Sequence, residues 1–140
     1  MLDAAQGKTS LVDGNEGAYR FRDTNRFAAS YRAMKQDLLP IVHGPNYPKH
    51  FSFSFGLWMD CDWRNVAWDT NDFSKNFYTP EAFENSMRTA LQTADDYVWI
   101  YAEQPRWWSA EGKTVRLPQS YEQAVRRARQ PQEVRAPAKN

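Results

Sequence analysis

Three apolar, strand-like runs recur along this chain, and after each one the apolar residues switch to helical spacing. That alternation limits the fold more than any other feature. The clearest run begins at Phe51. Phe51, Phe53 and Phe55 alternate with Ser52 and Ser54, which is the period-two pattern of a strand with two different faces. Gly56-Leu57-Trp58-Met59 continues it to Asp60-Cys61-Asp62-Trp63. The run Tyr97-Val98-Trp99-Ile100-Tyr101, ending at Glu103, is almost continuously apolar, as expected of a strand covered on both faces. A shorter run, Thr9–Val12, leads into Asp13-Gly14-Asn15-Glu16, where glycine and asparagine favour a turn.

Helices are predicted between and after these runs. Asp23 or Thr24 can cap the first, and Phe27, Ala28, Tyr31, Met34 and Leu38 fall on one helical stripe that Pro40 ends. The stretch from Ile41 to His50 reads as a loop, as does 64–78. Thr79-Pro80-Glu81 places a capping hydroxyl, a proline at the first helical position and an acid in the first turn. Phe83, Met87, Ala90, Leu91 and Ala94 supply that helix's stripe. A last helix is expected over about Gln119–Arg129, with Tyr121, Ala124, Val125 and Ala128 on one face.

The predicted class is therefore α/β, with three consecutive βα units and parallel strands. Residues 1–129 form the expected domain, and 130–140, polar and proline-containing, a disordered tail. Three parallel strands leave two open sheet edges. A (β/α)8 (TIM) barrel takes about 250 residues, whereas this chain has 140. The expectation is a partial barrel whose first strands lie outside the chain. A partner chain or self-association would then cover the open edges.

Charge excludes several partners. The net charge is +1, from 18 basic and 17 acidic residues, so no strong field points to nucleic acid or an anionic membrane. Arg126, Arg127, Arg129, Arg135 and Lys139 outnumber Glu133 at the end, which reads as a solvated helix terminus and tail. The first fifteen residues lack a basic segment followed by an apolar one, so no signal peptide is expected. No apolar run is long enough to span a bilayer. A soluble chain is expected, in a compartment the residues do not indicate. Cys61 is alone, so no internal disulfide can form.

In parallel α/β architectures, functional residues gather at the C-terminal ends of the strands. Here those ends are Asp13–Glu16, Asp60–Trp63 and Glu103–Trp108. All are acidic, and two carry Trp. The chain holds six Trp, seven Tyr and eight Phe, and Trp favours places where one side is apolar and one edge is wet. Paired carboxylates beside aromatic rings suit glycoside hydrolysis. Glu103, Asp60 and Glu16 are the candidate catalytic carboxylates. Trp58, Asp62, Trp63, Tyr101, Trp107 and Trp108 are the candidate substrate-binding residues. Trp99, in mid-strand, reads as core. Each acid also has a plain alternative: Glu16 and Glu103 as solvated turn residues, Asp60 and Asp62 as loop caps.

The segments LVDGNEGAY, FGLWMDCDW and DDYVWIYAEQPRWW resemble the last strands of bacterial (β/α)-barrel proteins similar to glycoside hydrolases. The resemblance extends over about residues 9–125. It implies a carbohydrate substrate, with Glu103 as the foremost catalytic or sugar-binding acid and Asp60 and Glu16 next. Two other classes remain open. One is a non-catalytic sugar-binding or interaction fragment. The other is a metal-dependent glycosyltransferase using Asp60-Cys61-Asp62, since hard oxygen ligands at a strand end suit divalent cations. No metal or cofactor is otherwise indicated. Asp69-x-Asn71 lacks the later positions of a calcium loop, and His43, His50 and Cys61 lack metal-ligand spacing. Nucleotide-binding glycine motifs are absent from the sequence.

Overall fold

A computed structural model describes residues 7–42, 46–62, 67–108 and 115–131. The fold is mixed α/β, built on short parallel strand pairs. Strand β1 (Leu11–Asp13) runs parallel to β2 (Phe51–Phe53), with Leu11 opposite Phe51 and Asp13 opposite Phe53. Strand β3 (Phe55–Trp58) runs parallel to β4 (Val98–Tyr101), with Phe55 opposite Val98 and Trp58 opposite Tyr101. Only Ser54 separates β2 from β3. Its N–H donates to Asp13 O at 2.9 Å, while Phe53 O accepts from Asp95 N–H at 3.0 Å. The C=O and N–H of this one trans peptide group point to opposite edges, so β1 lies along one edge of the 51–58 segment and β4 along the other.

The phenylalanine alternation decides which face meets the helices. Phe53, Phe55, Leu57 and Met59 are fully buried. They join Phe27 of helix α1 (Thr24–Arg32), Phe83 and Met87 of α3 (Pro80–Thr93), and Tyr121 and Val125 of α4 (Gln119–Ala128) in one core. Rings Phe21, Phe27, Phe55 and Phe53 meet edge to face in succession, with centroids 5.3, 5.1 and 5.1 Å apart. Burying each such ring contributes about 1.5–3 kcal/mol. The opposite face carries Ser52, Ser54, Gly56, Trp58 and Asp60.

The helices start and stop for local reasons. Asp23 accepts from Asn25 N–H at 2.9 Å and so caps α1. Thr79 Oγ1 accepts from Ala82 N–H at 3.2 Å, with Pro80 as the first residue of α3. Glu84 joins α3 to α4 through Arg88 at 2.9 Å and Arg127 at 2.7 Å. Arg88 also donates to the Arg127 and Gln130 carbonyls at the end of α4.

The structure departs from the sequence reading in several places. The stripe of α1 runs on as one π-helical turn, Ala33–Asp37, which turns Lys35 towards Asp95, 2.8 Å away. A short helix α2 (Tyr47–His50) occupies part of the expected loop before β2. The long strand predicted over Phe51–Asp60 is interrupted at Ser54 and ends at Trp58. The loop before α3 includes a 3-10 turn, Phe73–Lys75. Two further short parallel strands, β5 (Pro105–Arg106) and β6 (Val115–Arg116), precede α4; two-residue strands carry too little periodicity to be read. The expected tail lies almost wholly outside the described residues, as does His43. Among the described residues no helix is long and apolar enough to cross a membrane.

Candidate functional site

The face opposite the phenylalanine core gathers aromatic rings at the ends of β3 and β4. Trp58 and Tyr101 are register partners, so their side chains leave the sheet on the same side. Trp99 lies two residues before Tyr101 and emerges on that side too. Its ring crosses the sheet over Gly56 and Gly14. A Cβ on Gly56 would stand 2.6 Å from Trp99 Cζ2, and one on Gly14 would stand 3.1 Å from Nε1. The indole N–H donates to Gly14 O at 2.7 Å. Glycine at these two positions is what lets the ring lie flat. The expectation that Trp99 is core is thereby corrected: it is half-buried, on the face away from the helices.

The chain delivers a fourth ring by a tight turn after β1. Asn15 adopts a left-handed conformation, φ 37°, and a 3-10 turn follows over Glu16–Ala18. Asn15 N–H donates to Asp13 Oδ1, and its side-chain amide donates to Ser30 Oγ, both at 3.0 Å. Tyr19 emerges next, with its carbonyl accepting from Trp58 N–H at 3.2 Å. Buried Tyr78 clamps the same turn, donating to Phe21 O at 2.8 Å. Tyr19 then stacks on Tyr101, with centroids 5.5 Å apart and planes 15° apart. It meets Trp99 and Trp58 edge to face at 5.4 and 6.1 Å, and Trp58 meets Tyr101 at 5.8 Å.

One of the stacked tyrosines is tied to a glutamate. Tyr101 donates to Glu103 Oε1 at 3.0 Å. This bond, partial burial and the Glu103 and Asp60 charges raise the Tyr101 hydroxyl above its ordinary value, against Arg106. Burial, then the charge and hydrogen bond of Glu16, raise Tyr19 likewise. Glu103 thus lies at the edge of the aromatic platform and Glu16 in the turn that leads to Tyr19, and both residues are exposed.

Asp60 occupies a different place. It is 1% exposed, although it follows Trp58 at the strand end. Its Oδ1 accepts from Trp58 Nε1 at 3.0 Å and Glu103 N–H at 3.1 Å; its Oδ2 accepts from Gln104 N–H at 2.8 Å and Glu103 N–H at 3.1 Å. A carboxylate so enclosed fixes the turn after β4 and orients the Trp58 indole. The sequence reading makes Asp60 a candidate catalytic carboxylate; the structure encloses it among its own chain's donors.

The other expected residues scatter. Asp62 Oδ2 accepts from Ala67 N–H at 2.8 Å, closing the loop after β3. Arg106 Nη1 donates to Ala102 O at 2.9 Å, just before Trp107 and Trp108, which are 39% and 77% exposed on the following surface. Trp63 lies outside the described residues. Among the described residues no group of three or more His, Cys, Asp or Glu is arranged to hold a metal ion.

Tyr19 and Trp99 are the members of the platform that the sequence reading missed. The alternation of Val98-Trp99-Ile100-Tyr101 already placed Trp99 beside Tyr101. Nothing local marked Tyr19, because a turn and contacts with distant residues bring it in. No known family, curated protein or solved structure matches the chain.

Proposed function

We propose that this aromatic face binds carbohydrate, with Tyr19, Trp58, Trp99 and Tyr101 as the stacking surface and Glu16 and Glu103 as hydrogen-bonding carboxylates. One observation carries the reading: Tyr19 stacks on Tyr101 beside Trp58 and Trp99 at the C-terminal ends of parallel strands, and Tyr101 donates to the exposed Glu103. Sugars present apolar C–H faces and a ring of hydroxyls, which suit aromatic planes and carboxylates respectively. If the site hydrolyses glycosides, Glu103 acts as general acid or nucleophile, and Glu16 is the second carboxylate. Asp60 holds Glu103 in place. The metal-dependent transferase reading has little support, because Asp60 and Asp62 accept hydrogen bonds from the chain's own N–H groups.

The fold reading is a segment of a (β/α)8 barrel. It is supported by adjacent parallel strands taken in chain order and by a core that places the helices on one face. The free face would then be barrel interior, closed by strands from outside the segment or from a partner chain.

The test is titration of the protein with neutral hexose oligomers, read by Trp fluorescence. Saturable binding is expected, weakened about tenfold in Trp58→Ala, equivalent to about 1.4 kcal/mol. If the site is hydrolytic, Glu103→Gln is expected to abolish release of reducing sugar while retaining binding. No saturable signal with any oligomer would overturn the sugar reading; unchanged turnover in Glu103→Gln would remove that residue from catalysis.

A further inference from the structure

The Tyr19 ring owes its place to residues outside the platform. Its carbonyl accepts from Trp58 N–H at 3.2 Å, and the Tyr78 hydroxyl stands 3.2 Å from the same oxygen. That hydroxyl also donates to Phe21 O at 2.8 Å. It has one hydrogen to give, so it spans the two carbonyls on either side of Arg20. Arg22 Nη1 adds a bond to Phe77 O at 3.1 Å. Residues 19–22 are thus held by residues 77 and 78 as well as by β3. Tyr78 is fully buried, with its ring edge to face against Phe77 and Phe83. Tyr121 of α4 donates to its carbonyl, and Asn76 Nδ2 donates to the Tyr121 hydroxyl at 3.3 Å. A hydroxyl anchored in the helical core therefore sets where the Tyr19 backbone stands against the sheet.

We infer that Tyr78 is a positioning residue for the aromatic platform: its buried hydroxyl holds the Tyr19 ring in place on Tyr101. The inference adds a determinant to the proposed carbohydrate site, and it rests on that proposal only for its binding readout. Tyr19 lies between the 3-10 turn Glu16–Ala18 and α1, so neither a strand ladder nor a helix fixes it. The few bonds to its own and neighbouring carbonyls carry that task instead. Ring pairs depend on their offset and tilt, so a small shift of this backbone changes the contacts of Tyr19 with Tyr101, Trp99 and Trp58 together. Tyr78→Phe keeps the buried ring and removes only the hydroxyl.

The experiment is a double-mutant cycle of Tyr78→Phe and Tyr19→Ala in the full chain, at a temperature where every variant is folded. Two signals are read: the Trp bands of the near-ultraviolet circular dichroism, where tyrosine does not absorb, and the affinity for neutral hexose oligomers. Tyr78→Phe is expected to lose part of the Trp signal that Tyr19→Ala loses, and to weaken oligomer binding about fivefold, the scale of one net hydrogen bond. In the Tyr19→Ala background it should change neither, because residues acting through one another are not additive. Tyr31→Phe removes a hydroxyl bonded to Asp95, before β4, and should lower stability without changing either signal. A Tyr78→Phe effect that persists in full without the Tyr19 ring would overturn the inference. So would a loss of stability with both signals unchanged, which is the mark of a purely structural hydroxyl. If the natural chain binds no oligomer, the carbohydrate proposal falls and the Trp signal alone decides the role of Tyr78. If Tyr78→Phe does not fold, Tyr121→Phe, which frees the Tyr78 carbonyl, enters the same cycle with the same expected signs.

Discussion

Replacing Asp60 separates an anchoring carboxylate from a catalytic one. Three donors converge on it: the Trp58 indole and the N–H groups of Glu103 and Gln104. At 1% exposure, water cannot readily replace the carboxylate. Each buried donor left without an acceptor costs about 1–3 kcal/mol. Some relaxation of the turn after β4 lets part of that be recovered, so Asp60→Ala is expected to destabilise the fold by about 3–5 kcal/mol. Asp60→Asn keeps the volume and one accepting oxygen, but its amide faces N–H groups that need acceptors, and about 2 kcal/mol is expected. The assay is urea unfolding followed by circular dichroism, with ligand binding measured on the same samples. Both variants should also weaken binding, because the Glu103 N–H loses both of its acceptors in Asp60→Ala and one of the two in Asp60→Asn. A change in Asp60→Asn below about 0.5 kcal/mol, within the range of ordinary surface substitutions, would refute the argument. It would be refuted most clearly if turnover vanished as well.

Two further outcomes follow from the packing. Asp95 accepts from Tyr31 Oη at 2.7 Å, Lys35 Nζ at 2.8 Å and Phe53 N–H at 2.8 Å. Burial alone would raise its carboxyl, but these donors outweigh burial and hold it below its ordinary value. A carboxyl with a folded-state value below its unfolded value stabilises fully above the unfolded value, near about pH 4, and loses that contribution as pH falls through the folded value. Urea midpoints of the natural chain should therefore decline below that pH more steeply than those of Asp95→Asn, and parallel declines would contradict this. Gly56→Ala would place a methyl 2.6 Å from the Trp99 ring, costing about 1–3 kcal/mol. Trp fluorescence should shift as the ring lifts off the sheet, and an unchanged spectrum with unchanged stability would rule out the flat placement of Trp99.

Much of the scaffold follows from local sequence. The Phe51-Ser52-Phe53-Ser54-Phe55 alternation is enough to assign one face of the segment to the helices, because strand side chains alternate strictly. The start of α3 is legible in Thr79-Pro80-Glu81, because capping depends on residues within one turn. The strand-end acids were legible as a group, since parallel strands place their ends together. Which acid faces solvent was decided by tertiary structure alone. Asp60 and Glu103 are both strand-end carboxylates, yet only the approach of the β4 turn to the end of β3 encloses one and exposes the other. Likewise the side of the sheet taken by Trp99 follows from its alternation, but its flat placement required Gly14 and Gly56 from two other strand segments. The stacking of Tyr19 on Tyr101 also depends on contacts far apart in sequence, and no local propensity encodes them.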